Sequence, residues 1–208
     1  MAVRIGDAMN APIDFYFDFS SPYGYLAAQR IDEIGVRHGR EVAWRPTLLG
    51  AVFKITGAGP LPQTPMKGVY AEIDMPRAAR LLGVPFTMPT PFPFNSLAAC
   101  RAFYWLADED PAKAKAFAKA VFAAAFAEGR DMSETGVVIE AAETLGVAGE
   151  AITDALADPA VKARLKGEVD AAIVRGVFGS PFFIIDGEPF WGHDRLDQVE
   201  RWLETGGW

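Results

Sequence analysis

The chain has 208 residues and a formal net charge of −7, and half of its residues are hydrophobic. This length suits one domain, or one domain with a large insertion, and the abundance of apolar residues excludes intrinsic disorder. The negative charge argues against a surface for nucleic acid or anionic membranes, and no apolar run approaches the ~20 residues of a membrane span.

Residues 1–12 predict a short tail, because they lack the apolar stretch of a signal peptide. We therefore expect the protein to be cytoplasmic. The single cysteine, Cys100, excludes an internal disulfide bond and a cysteine-based metal cluster. Because Cys100 falls within a helical pattern, we expect it to be a small buried hydrophobic residue.

The first elements of the chain predict a βαβ unit. Phe15, Phe17 and Phe19 alternate with other residues, which is the period of a strand with one strongly buried face. Residues 22–38 predict one helix, because their apolar residues recur at helical spacing. Residues 41–45 predict a second strand, which a helical crossover would place parallel to the first.

The middle of the chain changes from loop to helix. Residues 57–93 contain eight prolines and four glycines, so we expect mostly loop and short helical turns. Connections this long are usually functional or cover a site. Residues 95–175 are Ala-rich with apolar stripes at helical spacing, and they predict a packed bundle of five helices. Asp110–Pro111 and Asp158–Pro159 each have the residues that open a helix.

The C-terminal part returns to sheet. Residues 182–185 form a continuous apolar run, and Asp186–Gly187 is a strong hairpin-turn signal. Residues 188–191 then predict an antiparallel return strand. We expect Asp194 to cap a final amphipathic helix.

The order of these elements is βαβ, a helical block and ββα. Periodicity predicts an α/β fold with an insertion, and the order matches the thioredoxin plan, split by a large all-helical insertion. We assign residues 11–50 and 176–208 to a thioredoxin-like domain. Residues 51–175 would form the inserted loop and helical domain.

The junction between the first strand and the first helix is the strongest candidate site. Ser20 and Ser21 are good N-cap residues, and Pro22 suits the first helical position. A hydroxyl would thus lie beside the free N–H groups at the positive end of a helix, where anions bind. Ordinary helix capping explains the same residues equally well.

Other catalytic sites have little support in the sequence. The only two histidines, His38 and His193, are far apart, so we predict no metal site. We expect a structural role for His38 at a helix end, whereas His193, at a strand-to-helix junction, is a candidate for lining a site. The G-x-S-x-G elbow, the Walker loop, the dinucleotide fingerprint and the H-E-x-x-H motif are all absent from the sequence.

Several motifs occur in the order found in one known family. They are FYFDFSSPYGYLA at residues 15–27, WRP at 44–46, KG at 67–68, GVFGSPFF at 176–183 and WGHDRL at 191–196. With them, residues 13–203 resemble the 2-hydroxychromene-2-carboxylate isomerase family. That family is close to the kappa-class glutathione transferases and belongs to the DsbA-like branch of thioredoxin folds.

The resemblance implies a site for a thiolate that a cofactor supplies. Disulfide oxidoreductases of this fold carry C-x-x-C at the helix start, where residues 21–24 read SPYG here, so dithiol chemistry is excluded. The implied cofactor is glutathione, with Ser21 as the residue that activates it and Ser20 as the alternative. Ser180, followed by Pro181, would offer backbone N–H and C=O groups to its cysteinyl part. The sequence leaves open whether the Ser180–Pro181 bond is cis.

The resemblance also implies the reaction. The enzyme would interconvert 2-hydroxychromene-2-carboxylate and trans-o-hydroxybenzylidenepyruvate, in the catabolism of naphthalene-type aromatics, by reversible thiolate addition to the enone. Its substrate would be a small aromatic 2-oxo or 2-hydroxy acid, and the protein would be a homodimer. A kappa-like transferase that forms a stable conjugate and a thiol-binding protein without catalysis are the alternatives.

Further site residues follow from the same resemblance. His193 and Asp194 would hold the γ-glutamyl end of glutathione, and either Lys54 or Lys67 would meet a substrate carboxylate. The residues expected to form the walls for an aromatic substrate are Phe53, Lys54, Phe178 and Trp191. One departure concerns Ala58, because kappa-type relatives place a glutathione-binding asparagine there and an alanine cannot make that hydrogen bond.

Overall fold

The computed structural model describes residues 11–208 of the chain, and residues 1–10, most of the predicted tail, lie outside that range. Four strands form one mixed sheet in the order β2-β1-β3-β4. They are β1 (Ile13–Phe17), β2 (Val42–Pro46), β3 (Phe182–Ile185) and β4 (Glu188–Trp191). β1 pairs parallel with β2 and antiparallel with β3, and β4 returns antiparallel beside β3. The predicted α/β thioredoxin-like sheet is confirmed.

Ten α-helices occur in the described part of the chain, and seven of them lie between β2 and β3. They are α1 (Pro22–Ala28), α2 (Ile31–Arg37), α3 (Leu49–Thr56), α4 (Lys67–Leu82), α5 (Leu97–Glu109), α6 (Pro111–Phe122), α7 (Thr135–Glu143), α8 (Gly149–Ala157), α9 (Pro159–Val174) and α10 (Leu196–Thr205). None of these helices is long and apolar enough to cross a membrane. The division into two domains at residues 51–175 stays a prediction.

One face of the sheet packs against the helical insertion through aromatic side chains. Phe15, Phe17 and Phe19 are completely buried, as their alternation predicts, although Phe19 lies beyond the end of β1. Phe17 lies 5.3 Å from Phe122 of α6 and 5.4 Å from Trp44 of β2, measured between ring centroids. This aromatic core joins the strand that precedes Ser21 to the helices of the insertion.

The other face of the sheet carries a charged cluster. Asp14 of β1 is only 8% exposed, and it forms ion pairs with Arg45 at 2.6 Å and with Arg175 at 2.7 Å. The Arg175 guanidinium also donates to the Tyr16 hydroxyl. A buried carboxylate between two guanidinium groups has its charge compensated, which offsets the cost of removing it from water.

Two predicted helix starts and one predicted hairpin turn are confirmed. The Asp110 carboxylate accepts from the Lys113 N–H at 3.0 Å, and the Asp158 carboxylate accepts from the Ala160 N–H at 2.7 Å. The hairpin turn also lies where it was predicted, with positive φ values of 54° at Asp186 and 93° at Gly187. Turns between paired strands favour such residues because they tolerate the left-handed region.

Three local predictions were wrong. Residues 22–38 are not one helix, because the chain breaks between α1 and α2 at Gln29 and Arg30. Residues 57–93 do not consist only of loop and short helical turns, because the 16-residue helix α4 lies within them. Asp194 does not cap α10; it lies in a 3₁₀ turn, and Arg195 takes the N-cap position without a side-chain hydrogen bond.

Candidate active site at the start of helix α1

Ser21 lies between β1 and α1, where the backbone changes from extended to helical. It is the N-cap of α1, with φ −97° and ψ 112°, and only 6% of the residue is exposed. Its hydroxyl accepts from the Gly24 N–H at 3.1 Å and donates to the Ser180 carbonyl oxygen at 3.0 Å. The hydroxyl therefore caps the helix and also joins it to the chain before β3.

Ser180 is held against the end of β1. The Ser180 Oγ accepts from the Asp18 N–H at 2.9 Å, and the Ser180–Pro181 peptide bond is cis, which answers the question left open by the sequence. Gly24 lies directly opposite, because a Cβ at that position would be 3.0 Å from the Ser180 Oγ. The structure thus brings together the Ser21 and Ser180 segments that the sequence singled out.

Asp18 binds the Ser20 hydroxyl, whereas the Ser21 hydroxyl is directed toward Ser180. This buried carboxylate accepts from the N–H and the hydroxyl of Ser20, both at 2.8 Å. Its second oxygen accepts from the Leu49 N–H at 2.8 Å, at the first residue of α3. Because the Ser20 hydroxyl is bound to Asp18, Ser21 is the better candidate for contact with a ligand.

Tyr23, in the first turn of α1, packs against His193. The two rings stack with centroids 5.0 Å apart and an interplanar angle of 18°. The Tyr23 hydroxyl donates to the Asp74 carboxylate of α4 at 2.8 Å. Burial lowers the pKa of His193, and the charge of Arg30 acts in the same direction against those of Asp194 and Asp74. At neutral pH His193 is therefore a neutral ring beside the site.

Sequence reasoning did not identify Tyr23 or Asp74. The two residues are 51 positions apart, and Asp74 lies in a segment that the sequence predicted to be mostly loop. A helical pattern through residues 67–82 is the signal that could have placed Asp74 on a helix. No local pattern indicates that this helix packs against α1.

The predicted substrate walls lie on separate elements. Phe178 and Trp191 contact each other, with ring centroids 4.9 Å apart, and they are 45% and 56% exposed. Phe53 is half-buried and Lys54 exposed on α3, the helix whose first N–H is bound to Asp18. Lys67 is exposed at the start of α4.

Asp194 and Ala58 are both accessible from solvent. The Asp194 side chain is 60% exposed and faces the Arg195 guanidinium at 3.4 Å. Ala58 is exposed in the connection between α3 and α4, and its N–H donates to the Thr56 hydroxyl at 3.3 Å. Both positions can therefore be reached by a ligand, although only Asp194 has a side chain that can bind one through charge.

Cys100 is remote from this chemistry. It is completely buried on α5, and its thiol points to the Thr47 carbonyl oxygen at 3.8 Å. Burial, and then the charge of Asp18, raise the pKa of this thiol well above its usual range. A protonated, inaccessible thiol is a poor nucleophile, so Cys100 is a core residue as predicted. Within residues 11–208, no group of three or more His, Cys, Asp or Glu side chains could hold a metal ion.

Comparison with known proteins identifies the domain and the family. Residues 12–204 match the model of the DSBA-like thioredoxin domain. A 2-hydroxychromene-2-carboxylate isomerase from Pseudomonas putida is 33% identical, over 90% of this chain and 92% of the relative. A solved structure of a 2-hydroxychromene-2-carboxylate isomerase has 32% sequence identity and a TM-score of 0.83, and the match covers 92% of this chain and 94% of that one.

The chain belongs to the 2-hydroxychromene-2-carboxylate isomerase family, within the DSBA-like thioredoxin domains. Human glutathione S-transferase kappa 1 is a more distant relative, at 25% identity over 92% of each chain. This member of the family carries no cysteine between Ser21 and Gly24. The site can therefore use the Ser21 hydroxyl and backbone N–H groups, but not a dithiol of its own.

Proposed function

We propose that the protein is a glutathione-dependent isomerase that interconverts 2-hydroxychromene-2-carboxylate and trans-o-hydroxybenzylidenepyruvate. The observation that carries this proposal is the buried Ser21 hydroxyl, held between the first turn of α1 and Ser180 where oxidoreductases of this fold have a dithiol. The names of the relatives at 30% and 33% identity support the choice of substrate. The proposal includes a cytoplasmic homodimer that acts in aromatic catabolism.

The residues around Ser21 fit a thiolate ligand. In the described part of the chain, the Tyr23 N–H has no protein acceptor, and the Ser21 hydroxyl can turn from the Ser180 carbonyl to donate elsewhere. These two donors would hold the sulfur, while Ser180 would bind the cysteinyl backbone and His193 with Asp194 the γ-glutamyl end. Since α1 has only seven residues, we expect these hydrogen bonds to contribute more than the helix dipole.

Bound glutathione would supply the thiolate that adds to the enone, permits rotation about the new single bond and leaves again. The task of Ser21 is to keep that sulfur ionised. A free thiol has a pKa near ~8.5, and lowering it by one to two units requires about 1.4 to 2.7 kcal/mol of preference for the anion. A hydrogen bond to a charged group contributes about 1.5–3 kcal/mol, so Ser21 can supply this preference.

The substrate would lie between the Ser21 hydroxyl and the aromatic walls. Phe178 and Trp191 form one exposed aromatic pair, and Phe53 with Lys54 lies on α3. Lys54, or Lys67 on α4, would provide the positive charge for the substrate carboxylate. Such walls would bind the planar ring through apolar contact while the carboxylate fixes its direction.

The experiment is an isomerisation assay with purified protein, with and without glutathione. We expect activity to require glutathione and to fall about 100-fold or more in Ser21→Ala, because the thiolate loses its hydroxyl donor. Ser20→Ala is the matched control, since it removes a hydroxyl that is bound to Asp18 and should stay within a few-fold of wild type. Full activity without glutathione, or in Ser21→Ala, would refute the proposal.

The kappa-class relative supports one alternative, a glutathione transferase that releases a stable conjugate. The same Ser21 site would serve both reactions, and only the fate of the adduct differs. Mass spectrometry of the products distinguishes them. Regenerated glutathione with an isomerised acid supports the isomerase, and an accumulating conjugate supports the transferase. Glutathione binding without turnover of either kind would indicate a thiol-binding protein.

A further inference from the structure

Helix α4 completely buries few large apolar side chains. Its buried residues are small apart from one methionine: Gly68, Ala71, Met75 and Ala79. Four large apolar residues are instead 60% to 87% exposed. Met66 lies just before the helix, and Val69, Ile73 and Leu81 lie along it. Burying small side chains contributes little hydrophobic stabilisation, so polar contacts have a large share in fixing the position of α4.

Asp74 provides such a contact to α1. On its own helix, one carboxylate oxygen accepts from the Tyr70 hydroxyl at 3.1 Å and from the Arg77 guanidinium. The second oxygen accepts from the Tyr23 hydroxyl of α1 at 2.8 Å. Although burial opposes it, the hydrogen bonds from Tyr23, Arg77 and Tyr70 lower the pKa of Asp74. The acceptor is therefore an ionised carboxylate, which makes hydrogen bonds stronger than those between neutral groups.

Tyr23 connects three parts of the site. It lies two positions after Ser21, its ring stacks on His193, and its hydroxyl reaches α4. Burial, and then the hydrogen bond to Asp74, raise the pKa of Tyr23 well above its usual value. The phenol is consequently protonated at neutral pH and remains a donor to Asp74.

The position of α4 matters because of the chain that leads into it. Residues 57–66 connect α3 to α4 and include Ala58, where this protein lacks the asparagine side chain expected of kappa-type relatives. The Ala58 side chain cannot hold that connection to glutathione by a hydrogen bond. It can still be fixed from its far end, through the helix that follows it.

We propose that Tyr23 and Asp74 are a positioning pair that fixes α4, and with it residues 57–66, against the Ser21 site. The proposal rests on the proposed glutathione-dependent reaction. Neither side chain takes part in the chemistry. The Tyr23 hydroxyl and the Asp74 carboxylate set how closely the connection approaches bound glutathione. Loss of the pair therefore weakens binding more than it slows the reaction of the bound complex.

The test compares two tyrosine-to-phenylalanine variants in the full-length protein. Tyr23→Phe keeps the ring on His193 but removes the donor to Asp74, and we expect the KM for glutathione to rise about tenfold with kcat within about twofold. Tyr70→Phe removes a hydrogen bond to the same carboxylate within α4 alone, and its KM should stay at the wild-type value. Tyr23→Phe in an Asp74→Ala background should raise the KM no further than Asp74→Ala alone.

Hydrogen exchange in the protein without glutathione gives a second readout that does not depend on activity. The amides of α4 should exchange faster in Tyr23→Phe than in wild type or Tyr70→Phe. Unchanged exchange, or an unchanged KM in Tyr23→Phe, would overturn the positioning pair. A wild-type protein that shows no dependence on glutathione would instead overturn the proposed function, and the exchange result alone would then decide whether Tyr23 holds α4.

Discussion

The two sides of the proposed site are built in opposite ways. The sheet side, formed by β1, β3 and α6, packs large aromatic residues that are completely buried, such as Phe17, Phe122 and Phe183. The α4 side, formed by α4 and the connection before it, buries mainly small residues and exposes Val69 and Ile73. The Ser21 hydroxyl belongs to the sheet side, whereas Asp74 belongs to the α4 side.

Because of this difference, we expect the sheet side to determine the stability of the protein and the α4 side to determine its affinity for a ligand. Complete burial of one Phe side chain contributes about 1.5–3 kcal/mol, so the sheet side holds the Ser21 hydroxyl in one fixed place. The α4 side relies more on side-chain hydrogen bonds, each with a net contribution of about 0.5–3 kcal/mol depending on charge. We therefore expect mutations on the sheet side to reduce the free energy of unfolding, and mutations on the α4 side to change ligand affinity.

The largest expected effect tests this separation directly. Phe17→Ala removes a ring that contacts Phe15, Phe122 and Trp44, and it should reduce the free energy of unfolding by about 3–5 kcal/mol. Ile73→Ala, on the exposed face of α4, should change it by no more than about 0.5 kcal/mol. Urea unfolding followed by circular dichroism measures both. Equal losses in the two variants would contradict the comparison.

The sheet side could largely be predicted from the sequence, and the α4 side could not. Alternating phenylalanines, a strong turn signal at Asp186–Gly187 and a Ser-Ser-Pro junction are local patterns, and each led to the correct element. The candidate Ser21–Ser180 pair followed from the family resemblance, and the structure places the two segments side by side. On this side of the molecule, the local sequence patterns and the topology of the fold therefore predict the same elements.

Helix α4 was missed because proline content was judged over the whole of residues 57–93. Pro60, Pro62 and Pro65 precede the helix and others follow it, so only Pro76 lies inside it. The break between α1 and α2 was also missed, because the apolar residues on its two sides keep helical spacing across it. They are Leu26, Ala27, Ile31 and Ile34. The Tyr23–Asp74 contact depends on both packing and topology, which local patterns do not contain.

A second, smaller effect is expected beside Ser180. A Cβ at Gly179 would come within 2.8 Å of the Trp191 Cδ1, so Gly179→Ala must displace the indole. We expect a loss of about 1–2 kcal/mol in the free energy of unfolding and a change in Trp191 fluorescence, measured against Trp191→Phe to isolate its signal. Gly50→Ala in α3 is the control, because a Cβ there meets nothing within 4 Å. If Gly179→Ala, like the Gly50→Ala control, had the stability and the fluorescence spectrum of wild type, the indole would not pack on Gly179.

The smallest expected effect is the pH dependence that His193 contributes where it stacks on Tyr23. Burial lowers its pKa in the folded state, so the unfolded chain, with a pKa near about 6.5, binds a proton more readily. The stabilisation is complete above about pH 6.5 and is lost as the pH falls toward the lower folded pKa. His193→Phe keeps a ring on Tyr23 but cannot titrate, so its free energy of unfolding should decrease less than that of wild type between about pH 7 and 5.5. Urea unfolding at a series of pH values measures how the free energy of unfolding of each protein changes with pH. The same change in both proteins would show that His193 titrates as freely in the folded protein as in the unfolded chain.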